Sequence, residues 1–348
     1  MDPLLSDEVP GNAVGRCNTE AGYHGVICSS CLPGFKRSGT SSYECQACYK
    51  YELVWIIFVL ALVIIGFTVM VKAVLASALA EENTQSVFGK ILLNHLQMIT
   101  ITASFDMDWP FHVKYIFALV APIKELTNAI VSFDCFMDRR NIEDVDPYRF
   151  YTDENDVRVV YQKLILYAGM PISLATIAWL VWYVIGRCNR WHKTPGMQEK
   201  HRTKFIATYV FLLFYVHPIL TQSMIDMFNC QLYDGDLRLV VDLQVMCFED
   251  PMHKLIAWYV ALPCLICWGL GIPLGVFVLM RKDKDRLHTP LVRQKFGFLY
   301  NGYKPHNYFW EIVIMYRKIT CIFIAVFLNR VGIIAQALVL IILLISFF

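Results

Sequence analysis

Residues 161–228 read YQKLILYAGMPISLATIAWLVWYVI, then GRCNRWHKTPGMQEKHRT, then KFIATYVFLLFYVHPILTQSMIDMF. A hydrocarbon core about 30 Å thick takes roughly 20 predominantly apolar residues to cross as a helix, and both outer runs meet that length. Around the middle run, Arg187, Arg190, Lys193, Lys200, Arg202 and Lys204 stand against the single acid Glu199. Short loops rich in Lys and Arg stay on the cytosolic side. The stretch therefore predicts one helix entering the cytosol and one leaving it. Composition extends this reading to the whole chain: hydrophobic residues make up 57%, charged residues 17%, and the mean hydropathy is +0.46, too little polar surface for a soluble domain.

Outward from this hairpin, further apolar windows fall at Leu53 to Leu75, Phe88 to Phe105, Phe111 to Phe133, Leu255 to Met280, Ile312 to Leu328 and Val331 to Phe348. They are too uniformly apolar for barrel strands, so the expected fold class is an all-α polytopic membrane bundle. The segment from Arg281 to Lys304 is basic through Arg281, Lys282, Lys284, Arg286, Arg293 and Lys295, which predicts a cytosolic position. The loop between Phe228 and Leu255 carries Asp234, Asp236, Asp242, Glu249 and Asp250 and is expected to be exoplasmic. Parity then puts 134–160 outside as well. With the N-terminal segment also outside, one of the three windows between 53 and 133 does not cross, which leaves about seven spans and one re-entrant or broken helix. Phe111 to Phe133, with Pro110, Pro122 and the pair Lys124 and Glu125, is the preferred non-crossing segment; Phe88 to Phe105, with Asn94, His95 and Gln97, is its rival.

The cysteines divide by compartment. Cys17, Cys28-x-x-Cys31 and Cys45-x-x-Cys48 have the spacing of paired zinc knuckles. An exoplasmic position and a fifth cysteine favour disulfides instead, with no metal. Cys135, Cys230 and Cys247 fall in exoplasmic loops too; Cys230 with Cys247 is the natural bridge, and Cys135 is free to meet the odd cysteine of the module. Cys188, Cys264, Cys267 and Cys321 read as buried or cytosolic thiols. The chain thus divides into a polar lead-in at 1–16, a cysteine-rich module at 17–50 and a membrane domain at 51–348. Its polar start and its end within an apolar run point to an excerpt from a longer protein.

Ionisable residues at membrane depth are the expected functional positions. Asp106 and Asp108 can gather cations at a pore mouth, or simply cap the next helix and meet water. Lys124 and Glu125 serve either an ion path or a structural ion pair. His95 and Gln97 line a polar path or hydrogen-bond across helices, the second being commoner. His217-Pro218 and Gly269-Leu270-Gly271-Ile272-Pro273 mark kinks, making Pro218, Gly269, Gly271 and Pro273 hinge positions. Glu311 and Arg317 do not share a helix face, and Arg317 and Lys318 are expected to snorkel to the cytosolic interface.

The segment GYHGVICSSCLPGFKRSGTSSYECQAC (22–48) resembles an EGF-like or ephrin-receptor-like cysteine repeat. LLNHLQMITITASFDMDWP (92–110), SFDCF (132–136), YFWEIVIMYRK (308–318) and FIAVFLNRVGIIAQALVLIILL (323–344) resemble the C-terminal membrane block of large protist and algal surface proteins. That block is similar to transient receptor potential or polycystin-like channels, including their fungal branch. The resemblance implies a cation channel or transporter component, and it implies further cysteine repeats upstream of the single one seen here.

Several classes fall away. With 31 Lys and Arg against 29 Asp and Glu, the chain has no global basic field for nucleic acid. HExxH, GxSxG, Walker and dinucleotide signatures are missing, and Asp234-Gly235-Asp236 lies in a loop, so neither an enzyme nor a cofactor is expected. The expected partners are the bilayer of the plasma or secretory-pathway membrane, cations, and a homo-oligomer or larger membrane assembly. The rival to transport is a receptor or adhesion protein whose bundle anchors an ectodomain, or an accessory subunit of a complex.

Overall fold

Inside a bilayer the backbone must satisfy itself, and helices do so within one segment. A computed structural model describes residues 4–5, 16–32, 34–37, 45–47, 54, 57–58, 61, 64–66, 68–69, 72, 84–103, 105, 109–113, 115–117, 158–188, 195–233 and 235–346. Its helices are α1 (Thr84–Ala103), α2 (Val159–Cys188), α3 (Pro195–Asp226), α4 (Pro251–Lys282), α5 (Pro290–Tyr300), α6 (Trp310–Phe327) and α7 (Ile333–Ser346). Among the described residues, three stretches are long and apolar enough to cross a membrane: Val159–Arg187, Arg202–Asp226 and Pro251–Lys282. That is fewer than the seven crossings expected from hydropathy. Windows 88–105 and 312–328 do form helices, α1 and α6, but their polar residues lower the apolar count. The windows at 53–75 and 111–133 lie largely outside the described residues.

Helix α3 is the centre of the bundle: 67% of its apolar window is buried, against 22% for α2 and for α4. Val210, Phe211 and Phe214 of α3 pack with Phe296, Phe298 and Leu299 of α5 and with Ile312 and Met315 of α6. The short helix α5 follows the basic segment that begins at Arg281, yet it buries Val292, Phe296, Phe298 and Leu299 in the base of the bundle. Phe298 meets Phe211 and Phe214 edge to face, with centroids 5.0 and 5.3 Å apart.

Contacts along their length show that α1, α3 and α6 run in the same direction. Near their starts Lys90 reaches Leu299, Asn301 and Glu311. Halfway along, Gln97 Nε2 donates to the Tyr215 carbonyl at 3.1 Å. At the far end Ile101 and Phe105 share a cluster with Ile225 of α3 and Ile322 of α6. Helix α7 turns back on α6, where the buried Gln336 donates to the carbonyls of Ile324 and Ala325.

At that far end lies a three-stranded antiparallel sheet of β7 (Cys230–Tyr233), β8 (Asp236–Leu239) and β9 (Asp242–Met246), bridged by Cys230–Cys247. The sheet is tied to α2 by Arg158–Asp242 at 3.0 Å. Helix α4 starts beside it at Asp250-Pro251: Asp250 accepts from the Met252 N–H, and Pro251, which has no N–H to satisfy, occupies the first turn. The cysteine module consists of β1 (Leu4–Leu5), β2 (Arg16–Cys17), β3 (Tyr23–His24), β4 (Ser30–Cys31), β5 (Phe35–Arg37) and β6 (Cys45–Ala47), paired as three two-stranded ribbons. The ribbon β1–β2 joins the lead-in to the module. Cys17 bonds Cys28 and Cys31 bonds Cys45. The first CxxC pair is thus divided between two bridges, which is incompatible with its acting as a zinc knuckle. Cys48 and Cys135 lie outside the described residues.

The module sits on the sheet. Gly25 has φ +79, and a Cβ there would collide with the side-chain amide of Gln244 in β9. Disulfides in both parts, and their contact, assign this end to the exoplasmic side. Gly25→Leu should therefore lift the module from β9 while leaving Cys17–Cys28 and Cys31–Cys45 formed. Amide hydrogen exchange at 242–246 should rise; unchanged exchange there would contradict the docking.

Candidate functional site: a buried polar network among the helices

Lys90, Asn94 and Gln97 lie four and three residues apart, so α1 presents them on one face. Glu311 and Lys318, seven apart, do the same on α6. Facing each other, they build a network that neither helix could bury alone. Lys90, Glu311 and Lys318 are exposed by only 3%, 0% and 1%.

The contacts form a chain. Asn94 Nδ2 donates to Glu311 Oε1 at 2.6 Å, and the Tyr303 hydroxyl donates to Glu311 Oε2 at 2.9 Å. Lys90 Nζ lies 3.6 Å from Glu311 Oε2, donates to the Asn301 carbonyl at 2.8 Å, and stands 4.2 Å from the centroid of the Tyr303 ring. Lys318 Nζ donates to Asn94 Oδ1 at 2.5 Å and to Gln97 Oε1 at 2.6 Å, and lies 4.7 Å from the centre of the Phe214 ring. Each amide therefore works twice, accepting from Lys318 and donating onward. Gly302 makes the connection from 301–303 possible: at φ +88 its backbone runs so close to α1 that a Cβ would lie 2.9 Å from Val87. Burial, and then the Glu311 carboxylate beside it, push the Tyr303 phenol above its ordinary range, which keeps it a donor.

A second polar contact lies across the hinge positions. Pro273 has no N–H for the Gly269 carbonyl four residues earlier. His217 Nε2 supplies the missing donor at 2.9 Å, and the Thr221 hydroxyl donates to the His217 carbonyl at 2.8 Å. Here α4 widens into π turns at Ala257–Ala261 and Leu265–Leu270, a distortion common at functional positions. Gly269 faces Thr221 closely, and a Cβ on Gly271 would lie 3.3 Å from the Ile266 carbonyl. Pro218 lies within α3, one residue from His217.

The other expected residues fare differently. Asp106, Asp108, Lys124 and Glu125 lie outside the described residues. Gln97 joins helices, as polar side chains in bundles commonly do, whereas His95 is exposed. Lys318 corrects the snorkelling expectation: its ammonium points into the protein because Asn94 and Gln97 supply acceptors that lipid lacks. Sequence reading missed Lys90 altogether, although its spacing to Asn94 and Gln97 was the signal. Cys264 is half-buried, Cys321 buried, and Cys267 exposed, contrary to the burial expected. Cys230, Cys247 and His253 form a cluster of metal-ligand type. The two sulfurs are bonded to each other, however, and the imidazole is engaged by the Phe248 N–H and the Met227 carbonyl.

The chain is 23% identical to cysteine repeat modular protein A of Toxoplasma gondii over 379 aligned positions, covering 89% of the chain and 11% of that relative. It is also 36% identical, over 53 residues, to a substrate-adhesion molecule of Dictyostelium discoideum, covering 15% of the chain and 6% of that relative. The chain thus spans a small part of each. No family model and no solved structure matches. These likenesses and the disulfides fit cysteine-rich surface proteins; the likeness to transient receptor potential or polycystin channels gains no support from them.

Removing the Glu311 charge leaves the Lys90 ammonium without its counter-charge and weakens the acceptor of Asn94 and Tyr303, so Glu311→Gln should lower stability by about 3–5 kcal/mol. Lys318→Met removes a charge but leaves only two amide oxygens unpaired, at a cost of about 1–3 kcal/mol. Tyr303→Phe combined with Glu311→Gln should cost less than the sum of the two, because both act on one contact. Thermal unfolding of the purified protein in detergent, followed by tryptophan fluorescence, measures all three; additive losses would show that Tyr303 acts elsewhere.

Proposed function

We propose that this chain is the membrane-embedded block of a cysteine-rich cell-surface adhesion or receptor protein. In this reading the helical bundle holds a disulfide-bonded sheet at the exoplasmic surface, and the sheet holds the cysteine module in a fixed orientation. The carrying observation is the close packing of Gly25 against Gln244, a rigid seat where a tether would need none. The two cysteine-rich and adhesion-type relatives support the same reading. The bundle works without a cofactor and catalyses no reaction, and its partners are the bilayer and a ligand of the ectodomain.

The proposed topology has seven crossings. The parallel course of α1, α3 and α6 supports α1 as a crossing helix, which leaves 111–133 as the segment that stays on the exoplasmic side. Window 53–75 and helices α2, α4 and α7 run inward, and α5 tucks into the cytosolic base.

A second reading, a cation channel or transporter component, is favoured by the charged side chains buried within the bundle. The two readings separate experimentally. Cells displaying the chain should resist detachment from coated surfaces under flow, and Gly25→Leu should abolish the gain at equal surface expression. Attachment no better than that of untransfected cells would sink the adhesion reading. Currents in a planar bilayer that respond to Asp106→Asn and Asp108→Asn would establish the second.

A further inference from the structure

The interior network carries more positive than negative charge. Lys90 lies beside Glu311, Lys318 stands about two turns further along α6, and Arg317 is next to Lys318 on the flank of that helix. Lys90 and Lys318 are supplied with acceptors, as described above. Arg317 is not: among the described residues it has no hydrogen bond or ion pair, and its Nε is fully buried without a partner. At 100° per residue, six residues turn Arg317 about 120° away from the Glu311 face, out of reach of that carboxylate. Lys318, one residue on, carries the same charge and repels it. A half-buried guanidinium with five donors and a surplus of like charge around it is unfavourable in a low-dielectric bundle unless an anion approaches.

We propose that Arg317 is an anion site of phosphate chemistry, filled by two oxygens of a phosphate group against the guanidinium fork. Its place on the helix suits this. It lies seven residues beyond Trp310, about 10 Å along α6 from its first residue, and a long side chain of this kind can extend toward that end of the helix. The phosphate comes either from the headgroup of an anionic phospholipid or from solution. The site is independent of the adhesion reading and opposite in sign to a cation pathway.

The test uses the full chain purified in a phosphate-free maltoside detergent, with phosphatidylglycerol or inorganic phosphate added separately. Without additive, Arg317→Gln should melt at or above the parent temperature, because it removes an unpaired charge. Phosphatidylglycerol should raise the melting temperature of the parent and leave that of Arg317→Gln unchanged. Lipid adducts seen by native mass spectrometry should fall by about tenfold or more in the variant, the equivalent of one lost charge-assisted contact. Arg317→Lys, which keeps the charge and loses the fork, should lie between. The same shifts with inorganic phosphate support a soluble source; shifts with the lipid alone support the headgroup. An Arg317→Gln protein that unfolds or melts below the parent without additive would mean that the guanidinium is paired within the protein, and overturns the proposal. So would a parent that responds to neither probe, or adducts equal in both proteins.

Discussion

A single buried carboxylate organises the bundle. Glu311 accepts from Asn94 of α1 and from Tyr303 of the segment before α6, and it draws Lys90 to the same spot. Without an anion there, Lys90 and Asn94 would lose the partner that holds this face of α1 against α6, and lipid supplies none. The hydrophobic effect gives helices little preference for one another in a bilayer. Specific polar contacts of this kind therefore fix which helix lies beside which, and in what register.

The prolines set a second constraint. Pro273 frees the Gly269 carbonyl inside α4, and His217 caps it. Two further side-chain bonds reach helix carbonyls, from Tyr316 to Leu270 and from Trp268 to Ala168. These bonds cross between helices, so the distortions of α4 are part of how it is held to α2, α3 and α6. The exoplasmic end is secured differently, by disulfides and by the Arg158–Asp242 pair, where water competes with polar contacts and covalent closure is more dependable.

Hydropathy and charge made much of this legible. The spans around Tyr161, Lys204 and Leu255 appear where their apolar length put them, and the Cys230–Cys247 bridge follows from an acidic loop between two spans. Periodicity says what shares a face but not what the face meets. Lys318 therefore looked like an interfacial snorkel, because its acceptors lie more than 200 residues away in sequence. Helix α5 looked like a cytosolic loop for a related reason: eleven residues with Arg293 and Lys295 are too short and too charged to register as membrane structure, yet packing on α3 buries Val292, Phe296, Phe298 and Leu299. The module's bridges were undetermined because several pairings suit any spacing of five cysteines.

The length of the Asn94–Glu311 connection also bears on biogenesis. The partners are 217 residues apart, and Lys318 and Asn94 are 224 apart. At ordinary rates of synthesis α1 leaves the ribosome roughly 10–45 s before α6 is available. Through that interval Lys90 and Asn94 lack the Glu311 carboxylate, whereas Gln97 can meet the Tyr215 carbonyl as soon as α3 is made. Completion of the polar network around α1 then waits on α6.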